Sequence, residues 1–271
     1  MRHPDHPANI RDVRCLAAAG VPYASARAWQ DRTASAVRAV RTARTARTAR
    51  EMHDLREPSE AVAFIEHTAV YTMGARGGRA TLRLPATALP APIVDSDRGG
   101  DVTWHGPGQL VAYPILDLRR RGMTAAAYIA ALEAMLLDTL AAFGVAAGLT
   151  EGRRGVWVGP ANEQDKIAAI GVRVQGGVSL HGIALNVAPD LTWFDPIVPC
   201  GLDDAGVTSM ARVLGRDVTV DEVRPALREA FARRFDARLV DLPADEACSA
   251  LGAPSREALT REAPSREVVI A

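Results

Sequence analysis

The sequence predicts an α+β fold. Short runs rich in β-branched and aromatic residues recur through the middle of the chain, helical periodicity occupies separate stretches, and the two do not alternate in the strict βαβ rhythm of a doubly wound sheet. At 271 residues and 48% apolar content, the chain is long enough to bury one large core.

Taken in order, the first 20 residues contain proline and histidine and predict a poorly ordered start, so residues 1–22 are set outside the folded domain. From Tyr23 to Arg50 the pattern is helical and degenerates into RTARTARTAR. Arg38, Arg41, Arg44, Arg47 and Arg50 recur every third residue. At 3.6 residues per turn each step slips backwards, so these charges fan around the axis and predict a solvated helix end; the alternative is a basic docking surface for an acidic protein. AVAFIEHTAVYT, from Ala61, is β-rich and opens the core. IVDSD reads as a strand leading into RGGDVTWHGPGQ, and LVAYPILDL as a buried strand after it. Thr124 caps a helix running through Phe143, with Tyr128, Leu132, Met135, Leu136, Leu140 and Phe143 on one face, and Gly144 ends it. GVWVG, KIAAIGVRV and VSLHGIALNV are short strands, the last two joined by a tight turn at Gly176-Gly177. Thr219 with Glu222 is a capping box opening a helix to about Phe235. The domain is expected to span 23–242. Beyond it, residues 243–271, with APSREAL echoed by APSREVV, read as a poorly ordered appendage.

Composition excludes several classes. The 32 basic and 32 acidic residues cancel, so no global charge advertises nucleic acid or an anionic membrane as partner. No apolar run reads as long enough for a membrane-spanning helix, and the N-terminus lacks the pattern of a secretory signal. Cys15, Cys200 and Cys248 are far apart and odd in number, which fits free thiols in a reducing compartment, the cytoplasm by default. The six histidines form no metal-binding spacing, and no CxxC or HExxH occurs. A dinucleotide fingerprint, a nucleotide-binding P-loop and a GxSxG elbow are also absent, so no metal or cofactor is expected.

What remains is three glycine-bearing segments, one thiol and one amine. Of the 32 Lys and Arg, 31 are Arg, and Lys166 is the only lysine. Coding bias accounts for the arginines. The exception is either chance or a site that needs an amine able to give up its proton, which guanidinium does not do. RGGDVTWHGPGQ packs four glycines with Arg98, Asp101 and His105 into 12 residues, which suits close backbone approach to a ligand or a turn-rich hairpin without one. His105 is either a general acid/base or a loop-orienting group, and His181 could equally be a satisfied core histidine. Cys200, in DPIVPCGL, is stiffened by Pro196 and Pro199 and left uncrowded by Gly201. A thiolate is the reactive form, and a nearby cation such as Lys166 would favour it. Cys15 and Cys248 read as inert.

These segments resemble the lipoyl(octanoyl) transferase family over roughly Tyr23 to Asp241. EHTAVYTMG (66–74) is similar to the family's EHPPVYT-G, with Thr68-Ala69 in place of prolines. RGGDVTWHGPGQLVAYPILDL matches its signature nearly throughout, KIAAIGVRV and HGIALNV match its lysine and second ligand segments, and PCG (199–201) its nucleophile segment. The Arg-rich stretch and the long tail depart from the family pattern. The resemblance implies a biotin/lipoate protein ligase-like fold, a mixed sheet flanked by helices, and catalysis by Cys200 and Lys166. An octanoyl group would pass from octanoyl-acyl carrier protein through a Cys200 thioester to a lysine of lipoyl domains of 2-oxoacid dehydrogenase complexes or the glycine cleavage H protein. Thioester exchange is nearly isoergic and aminolysis runs downhill, so no ATP is required. Carried over by position, Arg98, Gly99, Gly100, Asp101, Val102, Thr103, Trp104, His105, Ala169, Ile170, Gly171, Gly182, Ile183 and Ala184 would line the acyl site. At about 0.8 kcal/mol per buried CH₂, such a channel could discriminate chain length. The competing readings are an ATP-dependent lipoate or biotin ligase on the same fold, and a non-catalytic acyl- or carrier-protein-binding module.

Overall fold

The computed structural model describes residues 10–46, 60–78, 81–160, 162–198 and 206–255. Strand β1 (Arg11–Val21) leads into helix α1 (Tyr23–Ala46). AVAFIEHTAVYT splits into β2 (Ala61–His67) and β3 (Val70–Met73), followed by β4 (Ile93–Asp95), β5 (Val102–His105) and β6 (Gln109–Ile115). Helix α2 (Ala125–Ala142) precedes β7 (Gly148–Thr150), β8 (Arg153–Val158), β9 (Asp165–Gln175) and β10 (Val178–Asn186). The described chain closes with β11 (Gly206–Val207), α3 (Met210–Leu214), α4 (Val220–Arg234), β12 (Ala237–Asp241) and α5 (Ala244–Leu251).

The main sheet has the order β12-β1-β2-β6-β10-β9-β8-β7, with β11 added beside β9, and a second sheet has the order β4-β3-β5. β1 runs parallel to both neighbours, whereas β2-β6-β10-β9-β8-β7 is antiparallel throughout. The sheet is therefore mixed and flanked by helices, as the family resemblance implies. On one face Leu132, Met135 and Leu136 of α2 and Leu227 and Phe231 of α4 pack over Phe64, Leu110 and Leu185. On the other, Trp29 and Val37 of α1 and Leu251 of α5 cover Leu16, Ile65 and Val111. Covered on both sides, β10 is buried at every position, which explains how Ser179 and His181 come to sit inside. The β9–β10 turn is made by Gly176 and Gly177, both at positive φ. Thr124 accepts from Ala127 N and Thr219 from Glu222 N, capping α2 and α4.

Four expectations are corrected. Residues 11–21 are not a loose start: β1 lies between β12 and β2, its small alanines fitting an interior strand. The segment after Leu242 is not wholly an appendage, because α5 docks on β1 and α1 through buried Ala247 and Leu251; residues 256–271 lie outside the described ones. α2 is long and apolar enough, by length and composition, to cross a membrane; its buried stripe packs on α4, β8 and β9. The helix end at α1 is not simply solvated either. Arg41 donates to Asp117 and to Gly176 O, tying α1 to the β9–β10 turn, while the side chains of Arg44, Arg47 and Arg50 lie outside the described residues.

Candidate active site

The loop between β4 and β5 folds over the main sheet. Gly99 N donates to Val172 O of β9 (3.1 Å), and residues 98–101 zip onto 74–76 through three further backbone hydrogen bonds. Gly171 makes this approach possible, since a Cβ there would stand 3.0 Å from Gly99 O. Arg98 pins the loop from below. Its guanidinium donates to Thr72 Oγ1 and O and to Gly99 O, and the residue is buried.

Between loop and sheet lies a cleft of about 760 Å³. Of the residues expected to line an acyl site, it brings together Arg98, Gly99, Gly100, Asp101, Val102, Thr103 and His105 with Ala169, Ile170, Gly171, Gly182, Ile183 and Ala184, and it places Lys166 among them. Trp104 is the exception. Alternation along β5 turns its indole away from the cleft into a satellite core, against Trp193 and Phe194. Cys200 lies outside the described residues.

Lys166 sits where the neighbour of β9 changes. β10 pairs with β9 only as far as Ala168, and beyond that point β11 takes its place, Val207 pairing Lys166 and Thr208 N donating to Lys166 O (3.0 Å). The side chain is buried, with Nζ 4.5 Å from the centroid of Trp157. Gly155, at φ +109, keeps β8 close, because a Cβ there would meet Ala168 O at 2.5 Å. The described residues break off at Val198 and resume at Gly206, where β11 pairs with Asp165 and Lys166.

The inner end of the cleft is polar and buried. His67 Nδ1 faces Val21 O (2.8 Å), a group that only accepts, so Nδ1 carries the proton and Nε2 accepts from the Tyr113 hydroxyl (2.8 Å). Burial lowers its pKa to about 4. His105 is held well below its ordinary range by burial and then by His67. His181 has left-handed backbone, φ 59, and donates Nε2–H to Asp97 Oδ1 (2.6 Å). Burial outweighs that carboxylate and brings His181 to about 4. Burial pushes Asp97 up, but His181, Arg27 and Arg173 together hold it below its ordinary value. The Tyr23 hydroxyl bonds Ser96 (2.7 Å) and its ring stacks on His105. These imidazoles are neutral at pH 7 and suit a polar floor better than a proton shuttle.

A buried amide chain joins that floor to the lysine strand. Gln109 Nε2 donates to Trp104 O and to Asn186 Oδ1 (2.9 Å), leaving Gln109 Oε1 to take His105 Nδ1–H (2.7 Å). Asn186 Nδ2 donates to Thr208 O (3.0 Å). Sequence reasoning missed Gln109 and Asn186, along with Tyr23, Tyr113, Arg76, Arg153 and Arg154 in the lining. Alternation in LVAYPI could have placed Tyr113 with Val111. The others meet only through tertiary structure. Cys15 and Cys248 are free and line a separate cavity, and burial pushes the Cys15 thiol up to about 12, which leaves it inert. Among the described residues no cluster of metal-ligating side chains occurs.

Known proteins resemble the chain in both sequence and fold. The family model for the lipoyl protein ligase A/B catalytic domain matches residues 42–232. An octanoyltransferase of Salinispora tropica is 51% identical over 174 residues, 63% of this chain and 79% of that protein. One of a Bradyrhizobium species is 46% identical over 229 residues, 82% and 87% respectively. Among solved structures, a bipartite lipoate protein ligase from Thermoplasma acidophilum aligns with a TM-score of 0.62 at 15% identity, covering 90% of this chain and 91% of that one. A lipoate-protein ligase A bound with ATP aligns with a TM-score of 0.61 at 16% identity, covering 89% and 93%. The latter two establish the fold, that of the lipoate protein ligases. With its family model matched over most of the chain and relatives covered over 79% and 87% of their length, the chain belongs to the lipoyl protein ligase A/B catalytic domain family and, within it, to the LipB octanoyltransferases, which makes it an acyltransferase.

Proposed function

We propose that the cleft holds an octanoyl chain while Cys200 and Lys166 pass it from acyl carrier protein to a protein lysine. The observation that carries this is the placement of the chain's only lysine, buried at a cleft walled by small residues and paired with Val207, seven residues beyond Cys200 in sequence. Ala169, Gly171, Gly182 and Ala184 leave a smooth apolar wall against which methylenes can lie. Lys166 takes the thiol proton, Cys200 Sγ attacks the thioester carbonyl, the C–S bond to the donor breaks, and the departing thiolate recovers the proton. In the second half the acceptor amine attacks the Cys200 thioester, Cys200 leaves as thiolate, and Lys166 accepts the proton the amine sheds. Acceptors are the lysines of lipoyl domains of 2-oxoacid dehydrogenase complexes and of glycine cleavage H protein. A reducing compartment such as the cytoplasm suits a free thiol.

Intact-protein mass spectrometry with octanoyl-acyl carrier protein tests the reading. One octanoyl adduct is expected on the native chain and on Cys15→Ser and Cys248→Ser, and none on Cys200→Ala. Turnover by Cys200→Ala would overturn the covalent route. Labelling that requires free octanoate and ATP would favour a ligase instead.

A further inference from the structure

The chain is neutral overall, with 32 basic and 32 acidic residues, but the described lining of the cleft is not. Among the described residues, its charged lining is Arg76, Arg98, Arg153, Arg154 and Lys166 against Asp101. Arg98 is committed to Thr72 and Gly99, and Lys166 is buried. The remaining three form the outer rim. Arg76 has a side chain 72% exposed, 3.9 Å from Asp101. Arg154 is exposed, and Arg153 is half-buried with its guanidinium 5.8 Å from the centroid of Trp157, the same ring that Lys166 faces. An octanoyl chain is neutral and offers three guanidinium groups nothing to bind. An acceptor lysine arrives as an ammonium, which they repel. A thioester donor whose arm carries a phosphate brings an anion to this rim.

We infer that Arg76, Arg153 and Arg154 bind the phosphate of a phosphopantetheine-type arm presenting the octanoyl thioester, an assignment that rests on the thioester-donor reading above. The planar guanidinium matches phosphate geometry and holds its charge at every working pH. Clustered at the mouth, the three also raise the local concentration of an anionic donor at low ionic strength. With the acyl chain inside the cleft and its thioester near Lys166, the arm leads outward over the rim.

Titration calorimetry on the full chain, using 4′-phosphopantetheine and pantetheine, tests the assignment without any acyl transfer. The phosphorylated arm is expected to bind at least roughly tenfold more tightly, a preference shrinking with added salt and falling to within about twofold when all three arginines become glutamine. Arg154→Gln alone, on an exposed side chain, is expected to lose about threefold, so the test survives if the triple variant does not fold. Equal binding of the two arms by the native chain, or a preference surviving in the triple variant, overturns the assignment. So does a loss confined to octanoyl-acyl carrier protein with no phosphate preference in the free arm, which would mean that the rim reads the carrier's protein surface. Phosphate preference without any Cys200 adduct would remove the covalent mechanism and leave the rim standing. A Cys200 adduct formed equally well from the S-octanoyl derivatives of both arms would do the reverse.

Discussion

Arginine at position 166 keeps a positive charge beside Trp157 but cannot accept a proton, since its pKa exceeds about 12. In Lys166→Arg, octanoyl transfer is therefore expected to fall by about two orders of magnitude or more, while alkylation of Cys200 by a small reagent falls much less. Normal transfer in that variant would refute a proton-relay role. Near-normal turnover with a shifted pH profile would indicate a purely electrostatic one. The buried imidazoles make a different prediction, about stability. His67 and His181 sit near a pKa of about 4 in the fold against an ordinary 6.5, because burial disfavours their charged forms. Between those values the unfolded chain binds protons that the folded chain refuses. Stability is therefore intact above about pH 6.5 and declines as pH falls toward about 4, each histidine costing about 2 kcal/mol by about pH 5. Urea midpoints measured at about pH 7.5 and about pH 5 check this, and His67→Asn should flatten the slope. An unchanged slope in that variant would remove His67 from the account.

Among the elements, the β10–β11 junction beside Lys166 depends on side chains as much as on strand pairing. β11 is two residues long and contributes little by itself. Asn186 reinforces it by bonding Thr208 O while accepting from Gln109, with all three residues buried. Asn186→Leu, similar in size, would leave the Thr208 carbonyl and a Gln109 donor unpaired, at about 1–3 kcal/mol each. Transfer is expected to lose kcat more than KM, since Lys166 shifts while the apolar wall persists; an equal loss in both would point to general damage. The sequence made some elements legible and hid others for identifiable reasons. The Thr124 and Thr219 caps, the Gly176-Gly177 turn and the stripe from Tyr128 to Leu140 are local signals, and each appears where expected. The β10 run reads as an alternating strand, but because it is buried on both faces the alternation did not say which way His181 points. Trp104 was assigned with the whole Arg98–His105 stretch carried over by position, whereas adjacent residues on a strand face opposite sides. Gln109 and Asn186, 77 residues apart, carry no pattern that joins them.

At the scale of the whole molecule, the ends of the chain close the sheet and one of its cores, and here the sequence was least readable. LAAAG in β1 has neither the bulk nor the alternation of a strand, yet parallel pairing to β2 and β12 needs small residues where α5 lies across it. α5 follows a proline and is only eight residues long, short enough to read as tail. Its place in the fold is nonetheless specific. Gly252 ends it in a left-handed cap, Ala253 N returns to Cys248 O, and Leu242 N bonds Cys15 O on β1. Leu251 is fully buried in the core shared with Trp29 and Leu16. A poorly ordered appendage would tolerate truncation of that side chain at no cost, whereas a docked helix would not. Leu251→Ala is expected to destabilise the protein by about 2–4 kcal/mol, read as a lower urea midpoint with unchanged m-value. Because Leu251 is not itself among the residues that line the cleft, octanoyl transfer per folded molecule should stay near the native rate at temperatures where the variant remains folded. An unchanged midpoint would return residues 243–255 to the status of an appendage. A lowered midpoint accompanied by lost transfer would instead show that α5 acts on the cleft through α1, whose first residue, Tyr23, forms part of the polar floor.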